Sequence, residues 1–189
     1  MADYRYSCVE SFKEGSHYIL DWADDLWLGS SGSLVLGFDY IALLLCAMTG
    51  VVFMFVFLSL CAPHQANKSG LVLCLVLTEI LVLTAFISYN IFVFFVCFEA
   101  AAIPMFLAIA HYGSTNKRTF AAAQFAGYTV LSSAFAFPGV LMLYYKFNTA
   151  NYLYMLGNLA LLSASDKIIL FVVFGLAFAV KTPLVPFHS

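Results

Sequence analysis

The stretch "FVVFGLAFAVKTPLVPFHS", residues 171–189, decides how this chain is read. Its apolar run suits lipid, yet it carries Lys181 and then Pro183 and Pro186. A helix crossing those prolines must break or kink near the lysine, because proline has no backbone donor and its ring crowds the preceding turn. Broken backbone at membrane depth survives only where protein or water satisfies it. A lysine at such a break would have water within reach and freed carbonyls to bind. A plain kink beside a loop is the simpler reading, and Thr182 could satisfy one freed carbonyl in either case.

Composition says that the run does lie in lipid. Of 189 residues, 63% are hydrophobic and only 10% charged, whereas a soluble domain carries roughly 25% charged residues. Too little polar surface remains to coat a globule in water, so the chain reads as an all-α polytopic membrane protein. Its formal net charge is −2, and the lysines and arginines are scattered rather than clustered, which gives nucleic acid nothing to grip. The five cysteines, Cys8, Cys46, Cys61, Cys74 and Cys97, show no CxxC or CxxH spacing. Most lie in or beside apolar runs, where cysteine packs more often than it ligates. The first twenty residues contain Asp3, Glu10 and Glu14 and no apolar core, so they do not read as a signal peptide.

Working outward from the carboxy-terminal stretch, the spacing predicts about five spans within a transmembrane region at 38–189. Residues 1–37 read as a polar extramembrane arm, with a short interfacial helix expected near His17–Leu28. The first span covers 38–60, long enough to cross about 30 Å of hydrocarbon. The apolar run 71–112 is too long for one span and is divided at "SYN", 88–90, into spans at 70–88 and 90–112. A fourth span runs over 119–146, with a kink expected at Pro138. The fifth covers 166–187 and is discontinuous at Lys181-Pro183. The loops after the first and third spans hold Lys68, Lys117 and Arg118 and no acid. By the positive-inside rule they face the cytoplasm or matrix, with the acidic arm on the other side.

Three ionisable residues remain inside spans: Glu79, Glu99 and Lys181. An acid or lysine at the middle of a span costs about 2.5–3.5 kcal/mol on insertion scales. Such residues usually face a bundle interior, pair with one another and mark an ion path. Helical rise puts Glu99 about 14 Å and Lys181 about 21 Å from the outer side, and Glu79 about 14 Å from the inner side. Two bland readings stand beside a conducting one. Glu99 and Lys181 could form a static pair pinning two helices, and Glu79 could be held neutral by its apolar site.

"FFVCFEAAAIPMFLAIAHYG" (94–113) and "FAVKTPLVPFH" (178–188) resemble the antiporter-like, proton-translocating subunits of NADH:ubiquinone oxidoreductase, respiratory complex I. Glu99, with Ile103-Pro104 following, sits where that family has its membrane glutamate. Lys181, followed by Pro183 and Phe187-His188, sits where it has the lysine of a discontinuous helix. Glu79 matches a further carboxylate, and "GYTVLSSAF" (127–135) looks like the next helix. The resemblance implies an inverted-repeat antiporter-like bundle. It also implies a path of glutamate, lysine and water, with His188 as a candidate relay, driven by remote electron transfer from NADH to quinone. It implies no redox site in this chain, since NAD, FMN, iron–sulfur clusters and ubiquinone are bound by other subunits. The expected setting is the mitochondrial inner membrane, or a bacterial plasma membrane or thylakoid. Lipids and other membrane-arm subunits are the expected neighbours. Family members have about fourteen helices, so the chain is expected to be the amino-terminal piece of a split subunit, completed by a separate chain.

Three alternatives stay open at this point. One is a cation/proton antiporter sharing the same motif. Another is a structural or assembly subunit whose polar residues carry no protons. The third is a haem-bearing anchor using His64 and His111, though both fall next to loops.

Overall fold

The computed structural model describes residues 18–22, 34–60, 69–114 and 116–182. Among the described residues seven helices occur in this order: α1 Tyr40–Leu60, α2 Ser69–Ile87, α3 Ile91–Ala100, α4 Ala102–Tyr112, α5 Arg118–Phe147, α6 Tyr152–Gly157 and α7 Ala164–Lys181. A 3₁₀ turn, Leu159–Leu161, separates α6 from α7. The chain is an all-α polytopic membrane protein, with one small exception at its amino-terminal side.

That exception corrects an expectation. Residues 18–22 do not start an interfacial helix; they form strand β1, Tyr18–Trp22, paired antiparallel with β2, Leu34–Phe38. The two segments, "YILDW" and "LVLGF", are short and rich in aromatic and branched residues, which suit a pleated ribbon. Gly29 and Gly32, in the connecting sequence, disfavour helix.

Among the described residues, four stretches are long and apolar enough to cross a membrane: α1, α2, α3 with α4 taken together, and α5. The helix at the expected fifth span, α7, has 18 residues and is apolar between Ile168 and Val180. Asp166, Lys167 and Lys181 lie at its ends, and its length is about 27 Å. Serine, tyrosine and asparagine at 88–90 do divide α2 from α3, and Asn90 shows why. Its side-chain oxygen accepts from the backbone N–H groups of Phe92 and Val93, at 3.0 and 3.3 Å, and so starts a new helix. Asn151 caps α6 in the same way, accepting from Leu153 and Tyr154.

One departure from the expected spans has a local cause. The third span is interrupted at Ala101, where α3 ends and α4 begins. Pro104 cannot donate to the carbonyl four residues back, that of Ala100, and its ring crowds it. Pro138, by contrast, lies inside α5 without ending it. The expected extension of the last span to 187, with Pro183, Pro186 and His188, lies outside the described residues. So do the loop at 61–68 with His64 and most of the arm.

One end of the bundle gathers the hairpin, the α2–α3 turn and the loop after α5. Leu36 bridges Ser88, Asn90 bridges Asn151, and the Ile91 N–H donates to the Ala150 carbonyl at 3.0 Å. The interior is rich in small residues: Ala85, Ala101, Ala108, Ala122, Ala177, Ser132 and Gly139 are all buried, beside larger ones such as Val140, Leu170 and Val180. Lipid gives helices no hydrophobic reason to associate, so close backbone approach through small residues supplies the contact instead. Large apolar side chains point outward along α1, among them Leu43, Met48, Phe55 and Leu58. This is the reverse of a protein folded in water.

Candidate functional site

The site lies where α3, α5 and α7 meet. Aromatic pairs set the register of the first two: Phe92 packs on Tyr144 with ring centroids 5.1 Å apart, and Phe95 on Phe137 at 5.8 Å. Residue numbers rise along α3 as they fall along α5, so the two are antiparallel. Helix α5 then meets α7 through Gly139, where an added Cβ would come within 3.0 Å of the Phe174 ring and 3.1 Å of Val173. One turn or two deeper, the Ser132 hydroxyl donates to the Ala177 carbonyl at 2.9 Å, and Ser132 is 1% exposed. The two contacts fix α7 along α5.

This register brings Glu99 level with Ala177, and Lys181 lies one turn beyond Ala177 on α7. Side chains on a helix lean toward its amino terminus and cover the preceding turn. Lys181 therefore reaches back toward Glu99. Its ammonium donates to Glu99 Oε1 at 2.9 Å, and the two side chains are 23% and 20% exposed. The Nζ atom also lies 3.7 Å from the centroid of the Phe98 ring.

A cavity of about 90 Å³ adjoins the pair. Its polar contributions come from Glu99, Ser132 and Lys181, and phenylalanines from α3 and α7 form much of the rest. Lys181 is also the last residue of α7, where a cation is favoured by the helix dipole. The Phe178 carbonyl takes two donors there, the N–H and the hydroxyl of Thr182, at 2.9 and 2.7 Å. The next carbonyl, that of Ala179, can receive nothing from Pro183 in the helical pattern. A separation of 2.9 Å between ammonium and carboxylate is within reach for direct proton transfer.

The sequence-selected residues thus divide into groups. Glu99 and Lys181 are brought together. Glu79 sits on α2, partly exposed, and makes no hydrogen bond or ion pair with another described residue. His188, Pro183 and Pro186 lie outside the described residues. His111 is exposed in the last turn of α4, where its carbonyl accepts from Arg118 Nη1 at 3.1 Å. Phe98 and Ser132 were not among the residues selected from sequence. The signal for Phe98 was its place directly before Glu99 in a run of phenylalanines. A serine in a membrane helix carries no comparable signal until its partner helix is known.

The profile of the NADH:quinone oxidoreductase/Mrp antiporter transmembrane family matches residues 88–189, from the α2–α3 turn through both members of the ion pair. Subunit M of the NADH-quinone oxidoreductase of Rickettsia prowazekii is 34% identical over 86% of this chain and 33% of its own length. Chain 4 of the NADH-ubiquinone oxidoreductase of Metridium senile is 33% identical over 83% of this chain and 32% of its own. The corresponding chain of Chondrus crispus is 30% identical over 81% and 31%. The chain spans about a third of the length of these curated relatives. With more than half of its residues inside the family profile, this chain belongs to the NADH:quinone oxidoreductase/Mrp antiporter family of multi-pass membrane proteins.

Proposed function

We propose that the chain forms part of the proton-translocating machinery in the membrane arm of an NADH:quinone oxidoreductase, with Glu99 and Lys181 as its carriers. The observation that carries this reading is the 2.9 Å contact between Lys181 Nζ and Glu99 Oε1, beside a small cavity at the end of α7. In the paired state the lysine is an ammonium and the glutamate a carboxylate. Passing one proton from Nζ to Oε1 leaves a neutral amine and a neutral acid, which separate at little electrostatic cost in an apolar site. Release of that proton from the acid, and capture of another by the amine from a different direction, moves one proton and restores the pair. The cavity has room for about three waters, and Ser132 adds a polar atom to its wall.

Glu79 is a further relay in this reading, and His188, Pro183 and Pro186 belong to the same path. NADH oxidation, flavin, iron–sulfur and quinone chemistry take place in other subunits. The membrane is the mitochondrial inner membrane. Polypeptide equivalent to the remaining two thirds of the relatives, such as a separate chain, packs beside α7 and completes the path.

The test is Lys181→Ala in the assembled complex. Proton-linked NADH oxidation per assembled complex should fall about ten-fold or more, whatever the yield of complex; normal proton movement would refute the carrier role. A brace is the second reading, favoured by an ammonium that is held on two sides. It predicts scarcer complex with an unchanged rate per assembled copy. The family's antiporter branch supplies a third reading, for which turnover would depend on sodium or potassium.

A further inference from the structure

The Lys181 ammonium has two partners, and they are consecutive residues of α3. Glu99 Oε1 lies at 2.9 Å and the centre of the Phe98 ring at 3.7 Å. A cation within about 6 Å of a ring face is drawn to the negative centre of its π system. Neighbouring residues on a helix diverge by roughly a third of a turn. The ammonium therefore bridges two side chains that leave the helix in different directions, with one of its three donors committed to the carboxylate.

The ring also has a partner on its own helix. Phe98 stacks on Phe94, one turn earlier in α3, with centroids 5.7 Å apart and planes only 10° from parallel. On the lysine's own helix, Phe174 and Phe178 stack in the same manner at 6.5 Å. Both pairs are spaced i, i+4, the spacing that brings side chains together on one helix face. Two stacked phenylalanine pairs thus flank the amine. Among the described residues lining the cavity, Glu99 and Lys181 are the only groups that carry charge, and α5 contributes Ser132 with apolar neighbours.

We propose that Phe98 is a positioning residue for Lys181, a second holder that keeps the ammonium beside α3 when the amine has captured its new proton before Glu99 has released the one it received. This rests on the proton-carrier reading above. Without the ring, a lysine released by Glu99 faces, among the described residues lining the cavity, only Ser132 and apolar side chains, besides the open end of its helix. It would swing away and lose its place in the exchange. With the ring, the cation shifts from carboxylate to aromatic face and back, a movement of a few ångströms at most. The attraction to a ring does not depend on protonation of the partner, which is what distinguishes it from a second carboxylate.

The experiment compares Phe98→Leu, Phe98→Met, Phe98→Tyr and Phe98→Trp in the assembled complex, with Lys181→Ala prepared alongside. Proton-linked NADH oxidation per assembled complex is the readout. Leucine and methionine should each lower it about five-fold, while tyrosine and tryptophan, which keep an aromatic face, should restore at least half. Equal rates in all four variants would overturn the proposal, as would losses that follow side-chain size instead of the aromatic face. If leucine blocks assembly, methionine, which adapts to irregular spaces, carries the comparison. A dead Lys181→Ala with an unchanged Phe98→Met removes the role of Phe98 alone. A fully active Lys181→Ala removes the carrier reading and this proposal together.

Discussion

Lys146–Asp166 and Glu99–Lys181 are two ion pairs that tie α7 to its neighbours from opposite ends of its length. The first joins the last turn of α5 to the first turn of α7 at 2.7 Å, and the Lys146 side chain is 48% exposed. Ser163 supports it by accepting the Asp166 N–H at 3.2 Å, which starts the helix. The second pair is 2.9 Å long, lies at the far end of α7, and has no half-exposed member. At the first pair the half-exposed Lys146 keeps its hydration if Asp166 is removed, although the Asp166 side chain is itself only 15% exposed. Deep in the bundle, the loss of either partner strands a charge. The same chemistry is a fastening at the rim and, in the proposed reading, a proton-exchanging pair further in, and the medium makes the difference.

The largest effect should come from breaking the inner pair on one side only. Glu99→Ala leaves the Lys181 ammonium without its carboxylate, and should cost about 3–5 kcal/mol of stability. Thermal unfolding of the assembled complex, together with its yield, measures this. A cost near zero would mean that the ammonium is already solvated.

Gly139→Leu comes next, because it attacks the packing that holds α7 in register for both pairs. An added Cβ already approaches Phe174 and Val173 closely, and overpacking of that kind costs about 1–3 kcal/mol. Scarcer complex is the expected outcome, and an unaltered yield would show that α5 and α7 can part without harm.

Ser132→Ala removes a buried hydrogen bond between the same helices, at a cost of about 1 kcal/mol. A small drop in melting temperature checks it.

Lys146→Ala should have the smallest effect. Exposed pairs contribute little and are screened by salt. Turnover should be unaltered, and any change in stability should shrink as ionic strength rises. A loss of proton-linked turnover would erase the contrast between the two pairs.

Much of the bundle was legible because lipid is an exacting solvent. The length of the apolar run 71–112 forced a division, and serine, tyrosine and asparagine at 88–90 supplied it. The inner pair was legible for the same reason, since Glu99 and Lys181 are too costly in lipid to stand apart. What stayed hidden depends on partners distant in sequence or on weaker preferences. Tyr18–Trp22 pairs with a segment sixteen residues away, and nothing in five residues states that partner. The interruption at Ala101 comes from a single proline whose effect varies with context, as Pro138 inside unbroken α5 makes plain. Ser132 and Phe98 acquire meaning only through the carbonyl and the ammonium that another helix brings to them.

The central claim is that the inner pair exchanges protons, and neutralising both of its members at once tests that most directly. In the double variant Glu99→Gln, Lys181→Met no stranded charge remains, so assembly should recover relative to either single charge removal. The account predicts that this well-assembled complex oxidises NADH with a clearly reduced number of protons moved per electron pair. An undiminished proton count from the neutral double variant would contradict it.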